Sequence, residues 1–240
     1  MNRQLMLLGD HVRRFFQRRR QAHLLQTGRP EGEDGAAHIL NTFVENDPQL
    51  VQLGLQLGGL LGPITNQYEL KDFPGGTVDN DCARSSKTWA QSYQYALSLL
   101  REVGSGGVAM GTDFNGLNQQ PGPRYGPQAA AGLKDDTLRE KRRPVQQRLQ
   151  RDKPPLPYSG TLYRTDVPFV KARAGSREFD FNTDGLAHVG LLPDFIRDLV
   201  HVGMTDAQMD PLFSSAEAFL RMWEACESRG AALTAGEPVS

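Results

Sequence analysis

An aspartate at the end of a short apolar run is the residue best placed to do chemistry in this sequence. The run Gly107-Val108-Ala109-Met110 is typical of a strand buried on both faces, and Asp113 follows it in a glycine-rich segment. A carboxylate at the C-terminal tip of a buried strand is where (β/α)-barrel enzymes keep catalytic groups. An aspartate at such a position also caps a turn or the next helix in many proteins. The spacing alone leaves both interpretations open.

Further polar residues are candidates for binding a substrate. Arg124 lies in the loop after this strand, and a guanidinium binds a carboxylate through two parallel hydrogen bonds. Asp184 and His188 lie in a polar, glycine-containing segment and are spaced like residues of a loop that faces a pocket. Each candidate also has a structural interpretation, as a solvated loop arginine and as a structural loop histidine.

Buried strands that alternate with amphipathic helices must position these residues, and this alternation is typical of the α/β class. The pattern predicts a helix over 48–56 and a strand over 60–64. A second helix, capped by Ser85 or Ser86 and ending at about Glu102, then leads into the strand before Asp113. One face of this second helix carries the apolar residues that we expect in the core, namely Trp89, Tyr93, Ala96, Leu97 and Leu100.

The C-terminal part of the chain predicts a hairpin followed by three helices. Residues 163–173 and 178–181 have the pattern of two strands around an Ala-Gly-Ser turn. Pro193 begins a helix that Gly203 ends. The sequences Thr205-x-x-Gln208 and Ser214-x-x-Glu217 predict capping boxes for the next two helices. The last helix carries one apolar stripe, formed by Phe219, Met222, Trp223 and Cys226.

Composition limits the function classes. The chain has 240 residues, enough for one sizeable core, but it shows only two or three convincing buried strands, fewer than a complete (β/α)8 barrel needs. A net charge of −1 argues against nucleic acid as a partner of the whole chain. Two cysteines far apart predict no disulfide framework and fit a reducing compartment, and Leu5 to Leu8 is too short for a signal-peptide core, which favours a cytoplasmic location. No apolar run is long enough to span a membrane.

The first 28 residues show a basic amphipathic pattern. Leu5, Leu8 and Val12 recur with Phe15 and Phe16 at helical spacing, and arginines occupy the remaining positions. A segment of this kind lies on an acidic surface, contacts nucleic acid or acts as a transit peptide. The alternative is a surface helix whose arginines are solvated.

The segment GVAMGTDFNG, Gly107 to Gly116, resembles the last barrel strand of membrane-dipeptidase-like (renal dipeptidase type) enzymes, a branch of the metal-dependent amidohydrolase superfamily. Its flanks are similar to that family as well. Leu55 to Ile64 resembles the preceding strand, Asp81 to Ala96 the helix between the two strands, and Gly190 to Ala225 the closing helices. The resemblance covers about Leu50 to Ala225 and corresponds to the C-terminal part of a barrel.

The resemblance implies a zinc-dependent hydrolase of peptide-like or other amide bonds. Asp113 matches the family's catalytic proton shuttle, and Asn115 stands where the family often has a second aspartate. Asn115, Arg124 and His188 would contact the substrate. The family's zinc ligands include a His-x-Asp pair, yet none of the five histidines of this chain begins one. We therefore expect the ligands to lie before Met1 and this chain to be inactive alone.

The expected fold is α/β, a partial (β/α)8 barrel with a loop-rich insertion. The predicted divisions are an N-terminal arm (1–46), the last βα units (47–126), a mobile Pro/Gln/Arg-rich insertion (127–160), a hairpin with closing helices (161–229) and a disordered tail (230–240). The rival hypothesis is a non-catalytic, barrel-derived interaction module that binds a partner through the arm and the insertion. That module needs a homo-oligomer or another partner to cover its exposed sheet edges.

Overall fold

The computed structural model describes residues 48–66, 73, 75–114, 118–126, 128–129, 156 and 158–235. The predicted N-terminal arm lies outside these residues, as do Asn115, most of the predicted insertion and residues 236–240.

The first half of the described chain is a helix–strand–helix–strand unit, as the sequence predicts. Its elements are α1 (Pro48–Gln56), β1 (Leu60–Leu61), α2 (Ser86–Val103) and β2 (Gly107–Val108). Because a helix connects two neighbouring strands that run in the same direction, this unit is α/β in character.

The two strands pair in parallel beyond their assigned ends. Leu60 lies opposite Gly107, and a further bridge joins Ile64 to Gly111. The backbone N–H of Thr65 then donates to the Gly111 carbonyl at 2.8 Å. The pairing therefore continues to the residues immediately before Asp113.

Helix α2 begins at the cap that the sequence predicts and ends at a glycine cap one residue after Val103. The Ser85 hydroxyl accepts a hydrogen bond from the backbone N–H of Lys87. At the other end Gly104 has φ +73°, which costs glycine little, and its N–H donates to the Leu100 carbonyl at 2.8 Å. Four of the five residues predicted on its apolar face are buried, and Leu100 is half-buried.

The second half begins with the predicted hairpin. Strands β3 (Ala172–Ala174) and β4 (Arg177–Phe179) are antiparallel, with Ala172 opposite Phe179, and Gly175 in the turn has φ +60°. The strands are shorter than the pattern predicted, and a short helix, α3 (Phe181–Asp184), follows them.

Three longer helices complete the described chain after a 3-10 turn, Val189–Leu191. They are α4 (Leu192–His201), α5 (Asp206–Phe213) and α6 (Ser215–Ala235). The Thr205 capping box of α5 is confirmed in both of its hydrogen bonds. Helix α6 extends to Ala235, so helical structure continues into residues that the sequence predicted as a tail.

One hydrophobic core joins the two halves. The Trp89 ring stacks on Tyr93 with centroids 5.0 Å apart and meets the edge of Phe195 at 5.3 Å. Leu199 and Met209 are fully buried in the same cluster. Helix α4 is therefore packed directly against the βαβ unit.

The described residues form two small sheets of two strands each, and no closed barrel is present among them. The α/β class is confirmed at this coarser level. No helix in the described part of the chain is both long and apolar enough to cross a membrane.

Candidate functional site at the carboxyl edge of the parallel strands

The carboxyl ends of β1 and β2 meet at one edge because the strands are parallel. Thr65 follows β1 at this edge, and Thr112 and Asp113 follow β2. The indole N–H of Trp89, near the N-terminus of α2, donates to the Pro63 carbonyl at 3.2 Å. The start of α2 therefore lies beside the same edge, which is where open α/β sheets bind ligands.

Asp113 has an uncommon backbone conformation at this edge. Its φ is +44°, in the left-handed region that aspartate and asparagine tolerate better than most residues. The Asn118 side-chain amide donates to the Asp113 carboxylate, and the Gln120 amide donates to the Asp113 carbonyl at 3.3 Å. The loop after β2 therefore folds back over Asp113 and holds both its backbone and its half-buried side chain.

Thr65 connects this loop to the neighbouring strand. Its buried hydroxyl lies 2.7 Å from the Thr112 carbonyl and also hydrogen-bonds the Gln120 side-chain oxygen. Gln120 thus bridges Thr65 on one side and Asp113 on the other. The position of Asp113 is set by both strand ends together, and the resulting group is one carboxylate surrounded by amide and hydroxyl groups.

Arg124 is buried in an ion pair with Asp198. Its guanidinium binds the Asp198 carboxylate of α4 in bidentate fashion, with Nε 3.1 Å from Oδ2, and the Ser86 hydroxyl donates to the same carboxylate. Burial lowers the pKa of Arg124, but the charge and hydrogen bonds of Asp198 outweigh it and the net shift is upward. The solvated-arginine interpretation is therefore wrong.

This arrangement gives Arg124 a structural role. It links the loop after β2 to α4 through its ion pair with Asp198. Asp198 in turn accepts a hydrogen bond from Ser86 at the start of α2. The expected bidentate bond to a carboxylate exists, but the carboxylate belongs to the protein. Binding of a substrate carboxylate by Arg124 stays a prediction.

His188 is also held by local contacts. Its ring stacks on Phe179 with centroids 5.1 Å apart, and its Nδ1 accepts a hydrogen bond from the Gly190 N–H at 3.0 Å. Asp184 accepts from the Asp180 N–H at 2.9 Å and pairs with Arg177. These contacts fit the structural interpretation of both residues, and a substrate contact of His188 stays a prediction.

A buried acid that sequence reasoning missed lies in the first turn of α4. Asp194 is 2% exposed, and its Oδ1 has no hydrogen-bond partner among the described residues. Burial raises the pKa of Asp194 to about 6, opposed by its hydrogen bond with the Tyr158 hydroxyl. That hydroxyl itself accepts from the Phe181 N–H at 2.6 Å. For an aspartate in the first turn of a helix, the sequence pattern predicts an exposed residue that interacts with the helix N-terminus. No local pattern therefore indicates that Asp194 is buried.

The structure brings Asp113 together with three residues that were not predicted as site residues from the sequence, namely Thr65, Asn118 and Gln120. Asn118 and Gln120 lie in the loop that carries Asp113. Their polar side chains, close to Asp113 in sequence, could have identified them as site residues. Thr65 is separated from this loop by a helix, and only the parallel pairing shows that it belongs to the site. Asn115 lies outside the described residues.

The donor set at this edge does not fit a catalytic zinc ion. Such an ion takes about three protein ligands from histidine, cysteine and acidic side chains. Across the described ranges, no group of three or more such residues is placed to hold a metal. Asn118 and Gln120, which hydrogen-bond Asp113, contribute amide groups, and these are weak zinc ligands.

Comparisons with protein-family models, with curated proteins and with solved structures found no match for this chain.

Proposed function

We propose that this chain is the C-terminal part of a metal-dependent hydrolase barrel similar to the membrane dipeptidases, acting on peptide-like or other amide bonds. The observation that carries the proposal is Asp113, held in a left-handed conformation at the carboxyl edge of a parallel strand pair. The proposal further rests on the resemblance of the sequence from Gly107 to Gly116 to that family's last barrel strand.

The conformation of Asp113 supports a functional role. Non-glycine residues in the left-handed region cost about 1 kcal/mol or more and persist where the surrounding structure imposes them, often at functional sites. Here Asn118 and Gln120 hold the residue, and Gln120 is anchored in turn by Thr65. The amide of Asn118 donates to the carboxylate and fixes its orientation.

The role proposed for Asp113 is to accept and return a proton at its carboxylate during amide hydrolysis. The resemblance implies that zinc would supply the activated water, although the described residues do not fit a zinc site. Asn115, Arg124 and His188 are the proposed substrate contacts. The resemblance implies that the zinc ligands would come from the family's earlier strands, which precede Gly107 to Gly116 in the barrel.

The first test measures dipeptide binding, because we expect little turnover from this chain alone. Titration calorimetry of the full chain with a panel of dipeptides is compared with Asp113→Asn, a substitution that keeps side-chain size and tolerates positive φ. A carboxylate that takes a proton must lie within hydrogen-bond reach of the bound substrate, so Asp113 should also contact the dipeptide and the variant should lose about tenfold or more in affinity. Asp166→Asn, at an exposed position, is the control that leaves affinity unchanged.

Elemental analysis and a hydrolysis assay with added zinc accompany the titration. Near-stoichiometric zinc and dipeptide cleavage, with kcat/KM reduced about 100-fold or more in Asp113→Asn, would show that ligands assemble from elsewhere in the chain or an oligomer. A folded chain that binds no dipeptide, or an Asp113→Asn variant that binds as well as the original, contradicts the proposal.

A further inference from the structure

Helix α6 carries a row of exposed apolar side chains, which we call the α6 stripe: Phe219, Leu220, Trp223 and Cys226. Phe219 is 42% exposed, Leu220 55% and Trp223 57%, and Cys226 is also exposed. Phe219 and Trp223 are neighbours on the helix, with ring centroids 6.0 Å apart. Large apolar side chains exposed side by side on one helix face mark an interaction surface.

The opposite side of α6 packs against the βαβ unit. Ala218 lies so close to the start of β2 that a β-carbon added at Gly107 would be 2.8 Å from its Cβ. Met222, which the sequence pattern placed on the apolar stripe of this helix, is instead half-buried beside Ala218, whereas the residues of the α6 stripe are exposed. The stripe therefore remains uncovered by the described residues while the helix itself is anchored.

Acidic residues border the α6 stripe. Glu217, Glu224 and Glu227 are all exposed and share the face of α6 next to Leu220, since residues three and seven apart lie on one side of a helix. Arg221 pairs with Glu217 at 3.1 Å and is the basic residue among the described side chains of α6. A segment that covers the stripe would therefore be apolar on one side and basic beside it.

Residues 1–28 of the same chain have this pattern. Leu5, Leu8, Val12 and Phe16 recur at helical spacing and supply an apolar face. The segment contains six arginines and one acid, a net charge of +5. The arginines are Arg3, Arg13, Arg14, Arg18, Arg19 and Arg20.

We propose that residues 1–28 dock on the α6 stripe of their own chain, with the apolar face on Phe219 and Trp223 and the arginines beside Glu217, Glu224 and Glu227. The 19 residues from 29 to 47 connect this segment to α1 and reach about 60 Å when extended, which is ample for an intramolecular contact. The proposal does not depend on the hydrolase function.

Charge favours this occupant over a second copy of the stripe. Two stripes packed together would bring two sets of three glutamates close to one another, and like charges across an interface oppose association. The N-terminal segment brings the opposite charge, and its covalent connection raises its effective concentration near the stripe.

The stripe contains its own probe, the thiol of Cys226. The second cysteine, Cys82, is buried, and burial raises the pKa of its thiol, so a thiol reagent reports Cys226 in the folded protein. The experiment compares the rate at which Cys226 reacts in the original chain and in Val12→Asp/Phe16→Asp. This double substitution places two charges on the apolar face of residues 1–28. We expect the variant to react about tenfold faster or more, since each tenfold corresponds to about 1.4 kcal/mol of docking free energy.

A matched control adds the same charge without removing apolar groups. Gln17→Asp/Gln21→Asp has the same spacing in the same segment, and we expect its rate to change by less than about threefold, as weak surface charge effects predict. Equal rates in the original chain and Val12→Asp/Phe16→Asp would overturn the proposal. A Cys226 rate that falls with protein concentration in both would assign the stripe to a second copy and would overturn it as well.

The reciprocal experiment changes the stripe and monitors the arm. Limited trypsin digestion of the full chain, followed by mass spectrometry, reports cleavage after Arg13 to Arg20. Trp223→Glu should accelerate this cleavage about tenfold or more, because the arm is released from its surface. Val170→Glu changes another exposed apolar residue, 66% exposed near the hairpin, and should leave the cleavage rate unchanged. Equal cleavage in all three proteins would overturn the proposal.

Discussion

Helices α2 and α6 both carry a tryptophan on an apolar stripe, yet the stripe of α2 is buried and the stripe of α6 is exposed. Trp89 on α2 is 0% exposed and lies between Tyr93 and Phe195, whereas Trp223 on α6 is 57% exposed. The spacing of apolar residues is helical in both segments. The comparison teaches that periodicity identifies a helix and its apolar side, but the neighbouring elements determine whether that side is buried.

The largest expected difference between the two helices is in how much the free energy of unfolding falls when each tryptophan is replaced by alanine. Trp89→Ala should lower the free energy of unfolding by about 3 to 5 kcal/mol, because it leaves a cavity in the core. Trp223→Ala should lower it by only about 1 to 2 kcal/mol, since the described residues leave the ring more than half exposed and the loss is limited to the docking of residues 1–28. Urea denaturation of both variants provides the measurement. Similar costs for the two substitutions would mean that α6 is covered as fully as α2.

The ion pairs of the two regions should differ in the same direction. Arg124→Ala leaves the buried Asp198 carboxylate without its guanidinium and should destabilise the protein by about 3 kcal/mol. Arg221→Ala removes an exposed partner of Glu217 on α6 and should cost about 0.5 kcal/mol or less. Denaturation at low and at high salt tests both expectations. A larger loss of stability in Arg221→Ala than in Arg124→Ala would contradict the structural role of Arg124 in a buried ion pair.

A smaller, pH-dependent effect is expected from Asp194, which lies in the same buried region as Trp89. Its pKa of about 6 in the folded protein exceeds the ordinary value of 3.8, so the folded state retains a proton that the unfolded state releases between these values. Stability of the original chain should therefore fall as pH rises from about 4 to about 6 and stay lower above that.

Asp194→Asn should remove this slope and raise stability at pH 7 by about 1 to 3 kcal/mol. The measurement is the free energy of unfolding from urea titrations between pH 4 and pH 7. Asp79→Asn, at an exposed position, should retain the slope. An unchanged slope in Asp194→Asn would show that another group controls the pH dependence.

Local structure could be predicted well from the sequence. Pro48 and Gly58 bound α1, Ser85 caps α2, and Thr205 with Gln208 forms the capping box of α5. Each of these features depends on contacts within a few residues, so the side chains themselves contain the necessary information. The strand that ends before Asp113 and its parallel partner were predictable for the same reason, as short apolar runs separated by one helix.

The candidate site could be predicted only in part. The position of Asp113 at the end of a strand followed from the pattern, whereas the contribution of Thr65 required the pairing of β1 with β2. Arg124 looked like a loop residue free to meet a substrate, but its partner Asp198 lies on a helix far along the chain. No local pattern identifies such a partner, because it is selected by packing.

The sequence by itself determined the α/β alternation, the helix caps and the place of Asp113 at the end of a strand, because these depend on neighbouring residues. Only the tertiary structure decided that Arg124 binds Asp198, that Asp194 is buried and that Trp89 is covered while Trp223 is exposed. The physical reason is that burial and long-range ion pairs depend on which distant elements pack together, and packing is a property of the whole folded chain.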